Sequence, residues 1–300
     1  MPDTTFFLNM STSPIQDAYS EHFVAPALYV VATPLGNLGD ITLRALACLR
    51  AAAAIACEDT RHSRPLLDHY GITAACFALH EHNENEASEK LLALLAEGKR
   101  VALITDAGTP GISDPGARAV AAAHAAGYRV VPLPGPSAVV ALLSAAGFID
   151  RRFLFVGFLP PKSAARRTVL EALRSVPASL VFYEAPHRII ETVDDLAAVL
   201  EPQRIVAIGR ELTKRFEEVA RLPLAEAGAW LQADANRERG EFVLAVSAPL
   251  ESTGLDADVE RILRALLAEL PTKQAAKLTA EITGQSKNEL YARALQLKDE

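Results

Sequence analysis

The sequence predicts an α/β protein: two successive α/β domains followed by a small all-helical appendage. Three observations carry that reading. From Leu28 to Ser247 short apolar runs alternate with helical stretches, the pattern of βαβ units on a largely parallel sheet. The 300 residues are about twice the roughly 100–200 that one domain usually takes. Beyond Pro249 the strand signal stops and only helical periodicity remains.

The elements follow in order. Residues 1–26 mix Ser, Thr, Pro and acids without periodicity and read as a disordered leader. In the first domain, 27–149, strands are predicted at Leu28–Ala32, Ala53–Cys57, Cys76–Leu79, Val101–Thr105 and Arg129–Pro132, with helices such as Ile41–Arg50 and Glu84–Glu97 between them. Gly98 and Gly127 stand after helices and before strands, where a left-handed residue ends a helix. The basic pair Arg151 and Arg152 marks the boundary to the second domain, 150–250. There strands are expected at Phe153–Val156, Leu180–Tyr183, Arg204–Ile208, Glu217–Ala220 and Phe242–Ser247, with helices at Ala164–Arg174 and Ile189–Leu200. Close spacing of the last strands suggests a mixed sheet. The appendage, 251–300, reads as helices over Asp256–Leu270, Thr272–Ile282 and Ser286–Leu297, with Pro271 and Gly284 at the turns.

Composition excludes several classes. Half of the residues are hydrophobic and 22% are charged, which is ordinary for a globular chain and far from the signature of disorder. The apolar runs fall well short of the roughly 18 residues of a membrane span, so no membrane partner is expected. A net charge of −7 argues against a nucleic-acid binder that is basic all over. The three cysteines, Cys48, Cys57 and Cys76, have neither zinc-knuckle nor disulfide spacing and read as core residues of a reducing compartment. The first 26 residues contain no Lys or Arg, so no secretory signal is indicated and the cytoplasm is the expected location.

Chemistry is expected in loops at the C-terminal ends of strands, because ligands of open α/β sheets sit in the crevice outside those ends. "VVATPLGNLGDIT" (30–42) carries Pro34, Gly36 and Gly39, with Asp40 or Thr42 placed to cap the next helix. "LITDAGTPGISDPG" (103–116) is dense in Gly and Pro directly after a buried strand, a loop suited to presenting backbone groups rigidly. Asp106 at its start could accept from a ribose hydroxyl or an amine, or simply cap the loop. "PLPGPSAVV" (132–140) repeats the strand, turn and helix arrangement with Ser137 as cap, and "LVFYEAPHRI" (180–189) ends a strand at Tyr183 and Glu184 before Pro186 opens a helix. His187 fits a structural role; Arg188 fits an anion or plain solvent. Two charged segments, "ACEDTRHSRPLL" and "RELTKRFEE", also follow strands, although such clusters are commonly solvated faces.

Other chemistries drop out. The chain has no G-x-x-x-x-G-K-[ST] phosphate loop, no G-x-G-x-x-G after its first strand and no G-x-S-x-G elbow. His80, Glu81, His82 and Glu84 sit in a polar linker without a third ligand at zinc spacing, so no metal is expected.

Taken together, "TPLGNLGDIT", "EDTRHS", "TDAGTPGISDPG", "PGPSA", "YEAPHR", "RELTKRFEE" and "KQAAKLTAEITGQSKNELY" resemble, in order, the tetrapyrrole methylase superfamily of S-adenosylmethionine-dependent methyltransferases. The resemblance covers Leu28 to Leu297 and is strongest to the ribosomal branch, which methylates the 2′-oxygen of a cytidine in 16S rRNA. It implies two α/β domains of tetrapyrrole methylase type with the donor cleft between them, commonly in a homodimer, and S-adenosyl-L-methionine as cofactor. Residue by residue, it implies a donor pocket from Pro34, Leu35, Gly36 and Asn37; from Asp106, Ala107, Gly108, Thr109, Pro110, Gly111, Ile112 and Ser113; and from Ser137, Ala138, Tyr183, Glu184 and Ala185. Glu211, Leu212, Gly240 and Glu241 would approach the adenine and ribose. "YEAPH" stands where the porphyrin-type cousins carry "YMG".

A ribose hydroxyl needs a general base within hydrogen-bond reach. Glu184, Asp59 and Glu58 are the candidates, with Lys214 or Arg61 steadying the developing alkoxide or a phosphate. The RNA, as bare 16S rRNA or within the small ribosomal subunit, would be held by local positive charge. Residues 151–221 contain 12 Lys and Arg against nine Asp and Glu, and 271–298 contain five against two. Arg151, Arg152, Lys162, Arg166, Arg167, Arg188, Lys273, Lys277 and Lys287 are the phosphate-contact candidates. Two rival readings are a methyltransferase of a small tetrapyrrole-like acid and a non-catalytic RNA-binding assembly module.

Overall fold

Strand β1 (Ala27–Val31) is apolar at every position, as a strand covered on both faces must be. In the computed structural model, which describes residues 23–249 and 257–299, it lies in a five-stranded parallel sheet with β2 (Ala54–Cys57), β3 (Ala75–Ala78), β4 (Arg100–Ile104) and β5 (Arg129–Leu133), in the order β3-β2-β4-β1-β5. Alternation along the strands feeds two cores. Tyr29, Ile55 and Ile104 join α1 (Leu43–Ala51) and α2 (Thr60–His69) on one face; Leu28, Val101 and Leu103 join α3 (Glu84–Ala96) and α4 (Ala117–Ala125) on the other.

Local signals set the ends of these helices. The Thr42 hydroxyl accepts from Ala45 N at 3.1 Å and starts α1, while Asp40 belongs to a preceding 3-10 turn. Gly98 and Gly127 take φ of +77° and +78° at helix ends. Cys48 and Cys57 are buried, and burial pushes both thiols up to about 12, as inert core residues.

The second sheet is mixed, as expected. β6 (Phe153–Phe158) runs parallel to β7 (Ser179–Glu184); β8 (Ile205–Arg210), β9 (Glu218–Pro223) and β10 (Phe242–Val246) complete the order β6-β7-β10-β8-β9 through antiparallel pairs. Helix α5 (Ala138–Ala146) covers one face, with Val139, Leu142 and Ala146 packed on Val181, Ala207, Val243 and Ala245. Helices α6 (Ser163–Leu173), α7 (Ile189–Val199) and α8 (Ala227–Gln232) contribute Leu170, Val193, Leu196 and Leu231 to the core on the other face. The boundary expected near residue 150 is therefore crossed. α5 follows a strand of the first sheet but packs on the second, because its apolar stripe matches that face, and both sheets belong to one compact unit ending at Pro249.

The leader also needs correction at its end. Residues 1–22 lie outside the described residues, but Phe23 is buried edge-on against Tyr29, whose hydroxyl donates to Val24 O at 2.8 Å. The C-terminal unit is three helices, α9 (Ala257–Glu269), α10 (Thr272–Thr283) and α11 (Lys287–Asp299), around Val259, Leu263, Ala275, Ala276, Leu290 and Ala294. Among the described residues no helix is long and apolar enough to cross a membrane.

Candidate active site

β1 and β4 are neighbours whose chains leave in opposite directions, β1 toward β2 and β4 toward β5. That is a topological switch point, where a crevice opens at the strand ends. The two loops leaving it are tied together: Thr33 N donates to Gly108 O at 2.8 Å, Gly108 N donates to Thr33 O at 3.0 Å, and the Thr33 hydroxyl donates to Thr105 O at 2.9 Å. The far end of the 105–116 loop is held by buried Glu84, whose Oε1 accepts from Gly116 N and Arg118 N at 3.0 Å each, a carboxylate at the positive end of α4. Gly116 adopts φ of +118°, and a Cβ there would stand 2.8 Å from Leu103 Cδ2, so only glycine fits.

Around this crevice lies a cavity of about 340 Å³, within the size range of small-ligand sites. The first sheet's loops contribute Leu35, Ala107, Gly108, Thr109, Ile112, Ser113, Asp114, Ser137 and Ala138; the second sheet contributes Phe158, Tyr183, Glu184, Ala185, Pro186, Gly209, Leu212, Glu241, Phe242 and Val243. The fold thus brings together thirteen of the residues singled out for the donor pocket. Pro34, Gly36, Asn37, Asp106, Pro110, Gly111, Glu211 and Gly240 are not in the lining. Several of them position it instead: Asn37 Oδ1 accepts from Gly39 N, Asp106 Oδ1 accepts from Asp59 N, and Glu211 Oε1 accepts from Glu241 N and Lys214 Nζ.

Sequence reasoning did not single out Phe242 and Val243, because β10 runs antiparallel and meets the cavity at its start, where the strand-end rule does not look. It also passed over Asp114, inside a motif it had already marked. Burial, with the charges of Glu58 and Asp106, pushes the Asp114 carboxyl up to about 7, against the lowering effect of a hydrogen bond with Thr105.

The structure corrects the candidate bases. Glu184 is 3% exposed. Its Oε1 accepts from Ala185 N and Arg188 Nε at 2.7 and 2.8 Å, and its Oε2 from the Thr192 hydroxyl at 2.6 Å. A carboxylate so occupied anchors the loop after β7 and has little capacity left for a substrate proton. Asp59 caps α2: side-chain and backbone hydrogen bonds from Arg61 hold its carboxyl down to about 2, too acidic to take up a proton near neutrality. Arg61 is correspondingly occupied by Asp59. Glu58 Oε2 accepts from the Thr105 hydroxyl at 2.7 Å. Lys214 Nζ lies 2.9 Å from both Glu211 Oε1 and Glu241 Oε2.

Two of the expected RNA contacts are also corrected. Arg166 is fully buried and donates to Asp195 Oδ2 at 2.6 Å, because the apolar face of α6 carries it into the interior beside α7. Arg188 is committed to Glu184. Arg167 pairs with the same Asp195 from a half-exposed position, while Arg151, Arg152, Lys162, Lys273, Lys277 and Lys287 are exposed.

The family described as Tetrapyrrole (Corrin/Porphyrin) Methylases matches residues 27–228, and the family described as RsmI C-terminal HTH domain matches residues 253–298. The chain is 51% identical over 270 residues to "Ribosomal RNA small subunit methyltransferase I" of Escherichia coli O157:H7, covering 90% of this chain and 94% of that protein. It is 52% identical over 274 residues to the protein of the same name from Mesorhizobium japonicum, covering 91% and 93%. Its fold is similar to that of uroporphyrin-III C-methyl transferase from Thermus thermophilus complexed with S-adenyl homocysteine, with a TM-score of 0.52 at 18% identity, covering 74% of this chain and 97% of that one.

Proposed function

The chain belongs to the tetrapyrrole methylase family, and from that premise we propose that it is a methyltransferase that uses S-adenosylmethionine to methylate 16S rRNA of the small ribosomal subunit, at the 2′-oxygen of a cytidine. One observation carries the reading: the methylase match and the RsmI C-terminal match occur together in a chain about half identical, over nine-tenths of its length, to proteins named for small-subunit RNA methylation.

The cavity suits the donor. Its walls are mainly apolar, its charged lining side chains are Asp114, Glu184 and Glu241, and among the described residues no Lys, Arg or His lines it. Such a lining is compatible with a cationic sulfonium. When bound, the donor supplies a methyl group activated by the positive charge on sulfur. Backbone groups of Ala107, Gly108 and Thr109, held by the Thr33–Gly108 bridge, and the side chains of Leu35, Ile112 and Leu212 would fix its orientation. Alignment of this kind contributes up to about 7–11 kcal/mol in well-oriented intramolecular reactions.

Exposed Arg151, Arg152, Lys162, Lys273, Lys277 and Lys287 supply phosphate contacts in this reading, and RNA shape supplies selectivity. Exposed Val140, Ile149 and Phe153 offer an apolar surface for a second copy, consistent with a homodimer. Free thiols fit a cytoplasmic setting.

The test is incubation of the chain with methyl-labelled donor and, in separate arms, small subunits, bare 16S rRNA and a tetrapyrrole acid. Nuclease digestion and mass spectrometry should then locate a 2′-O-methylcytidine. Label only in the tetrapyrrole, or in no arm despite donor binding, would reject the reading.

A further inference from the structure

We propose that Asp114 is the general base of the transfer, taking the proton of the attacking ribose hydroxyl and passing it through the Thr105 hydroxyl to Glu58; this rests on the methyltransferase reading above. Of the three carboxylates that line the cavity, Glu184 is consumed by Arg188, Thr192 and Ala185 N, and exposed Glu241 is ion-paired with Lys214 through Oε2. Asp114 has no ion-pair partner among the described residues, and the polar side chain that acts on its carboxyl is Thr105.

The surroundings provide a route for the proton. The Thr105 hydroxyl donates to Glu58 Oε2 at 2.7 Å. Once Asp114 is protonated, its O–H can donate to Thr105 Oγ1 while the Thr105 proton passes to Glu58, at the half-exposed end of β2. The charged and titratable groups around Asp114 are Glu58 after β2, Asp106 after β4 and Tyr183 on β7. The first two disfavour a second negative charge, and burial acts in the same direction, so the carboxyl is poised near neutrality where a general base works best.

The step balances. The O–H bond of the 2′-hydroxyl breaks with its electrons left on oxygen, and the proton bonds to an Asp114 Oδ. The 2′-oxygen bonds to the methyl carbon. The electron pair of the broken carbon–sulfur bond stays on sulfur, which changes from sulfonium to neutral thioether.

The test uses the full chain with Asp114→Asn and Thr105→Val. Donor affinity is measured calorimetrically, single-turnover transfer to small-subunit RNA is measured at saturating donor across pH 5–9, and carboxyl titration is followed by carbon NMR in the donor-free protein. D114N should fold, bind donor, lose roughly 10²–10⁴-fold in the saturated rate, and lose both the ionisation near pH 7 in the rate profile and the matching NMR titration. T105V should be slower than the parent, because the hydroxyl that links Asp114 to Glu58 is gone. A D114N rate within about threefold of the parent, far outside the loss expected of a missing base, overturns the assignment; so does a loss confined to donor affinity. Should D114N fail to fold, T105V with an unchanged rate overturns it. A parent chain that methylates no ribosomal RNA rejects the proposed function instead, whereas an active parent with an equally active D114N rejects only the base.

Discussion

The aliphatic stem of Lys214 lies over Gly36, so that a Cβ on the glycine would stand 2.8 Å from Lys214 Cε. The ammonium is fixed beyond it between Glu211 and Glu241, at 2.9 Å from each. Gly36 is therefore small because a lysine from the second sheet's loop occupies the space of its side chain, and not because its backbone is left-handed: it is absent from the positive-φ glycines. This contact locks the loop after β1 to the loop after β8 beside the cavity.

Gly36→Ala should accordingly destabilise the chain by about 1–3 kcal/mol, the usual effect of overpacking. In a Lys214→Ala background most of that loss should vanish, a coupling visible in urea unfolding of the four proteins of the cycle. Equal losses in both backgrounds would contradict the contact.

Arg166 and the exposed arginines should separate cleanly. Removing one partner of a buried ion pair costs about 3–5 kcal/mol, so Arg166→Ala should lower unfolding free energy by that order while leaving the salt dependence of RNA binding unchanged. Replacing exposed Arg151 and Arg152 by Glu should do the reverse, weakening RNA binding and flattening its slope against log salt.

Glu184→Gln tests the anchoring role. Hydrogen bonds to a charged group contribute about 1.5–3 kcal/mol, so the variant should melt earlier while retaining a saturated methyl-transfer rate close to the parent's. A rate loss of a hundredfold in a fully folded variant would restore Glu184 as the base.

Two carboxylates give opposite pH signatures. Burial alone would raise Asp195, but hydrogen bonds from Arg167, Arg166 and Ser163 bring its carboxyl below the usual range. Its stabilisation is present above the unfolded value, about 4, and is lost as pH falls through the lower folded value. Asp114 is raised to about 7, so its contribution is full at low pH and declines as pH rises from about 4 to 7. Asp114→Asn should therefore gain stability relative to the parent across that interval and level off above it, whereas Asp195→Asn should lose its disadvantage in acid. Denaturant titrations at pH 3 to 8 would show a flat difference if either assignment failed.

Deleting residues 251–300 should weaken binding to small-subunit RNA while leaving donor affinity intact. The three-helix unit has its own core, and the cavity lining comes from residues 35–243. Gel-shift and calorimetric measurements on the truncated chain would check both halves; undiminished RNA affinity would contradict the role of Lys273, Lys277 and Lys287.

Much of this protein was legible in one dimension because the signals are local. Strand and helix periods, the Thr42 cap, the glycines at 98 and 127, and the Gly/Pro loops after β1 and β4 depend on a few consecutive residues, and those residues act in the fold as their chemistry requires. The marked loops converge because parallel strands place their ends on one edge.

What a residue does once it meets distant chain was decided only in three dimensions. Glu184 and Asp114 are both carboxylates in marked motifs, yet one is surrounded by donors and the other by carboxylates and apolar wall, and that difference makes one an anchor and the other a base candidate. Arg166 and Arg167 are adjacent and alike in sequence, but the helical turn sends the first inward and leaves the second half-exposed. α5 reads as the close of one domain and packs on the other. Periodicity reports which side of an element is apolar; the partner for that side, and the charges around a buried group, arise from contacts between residues far apart along the chain.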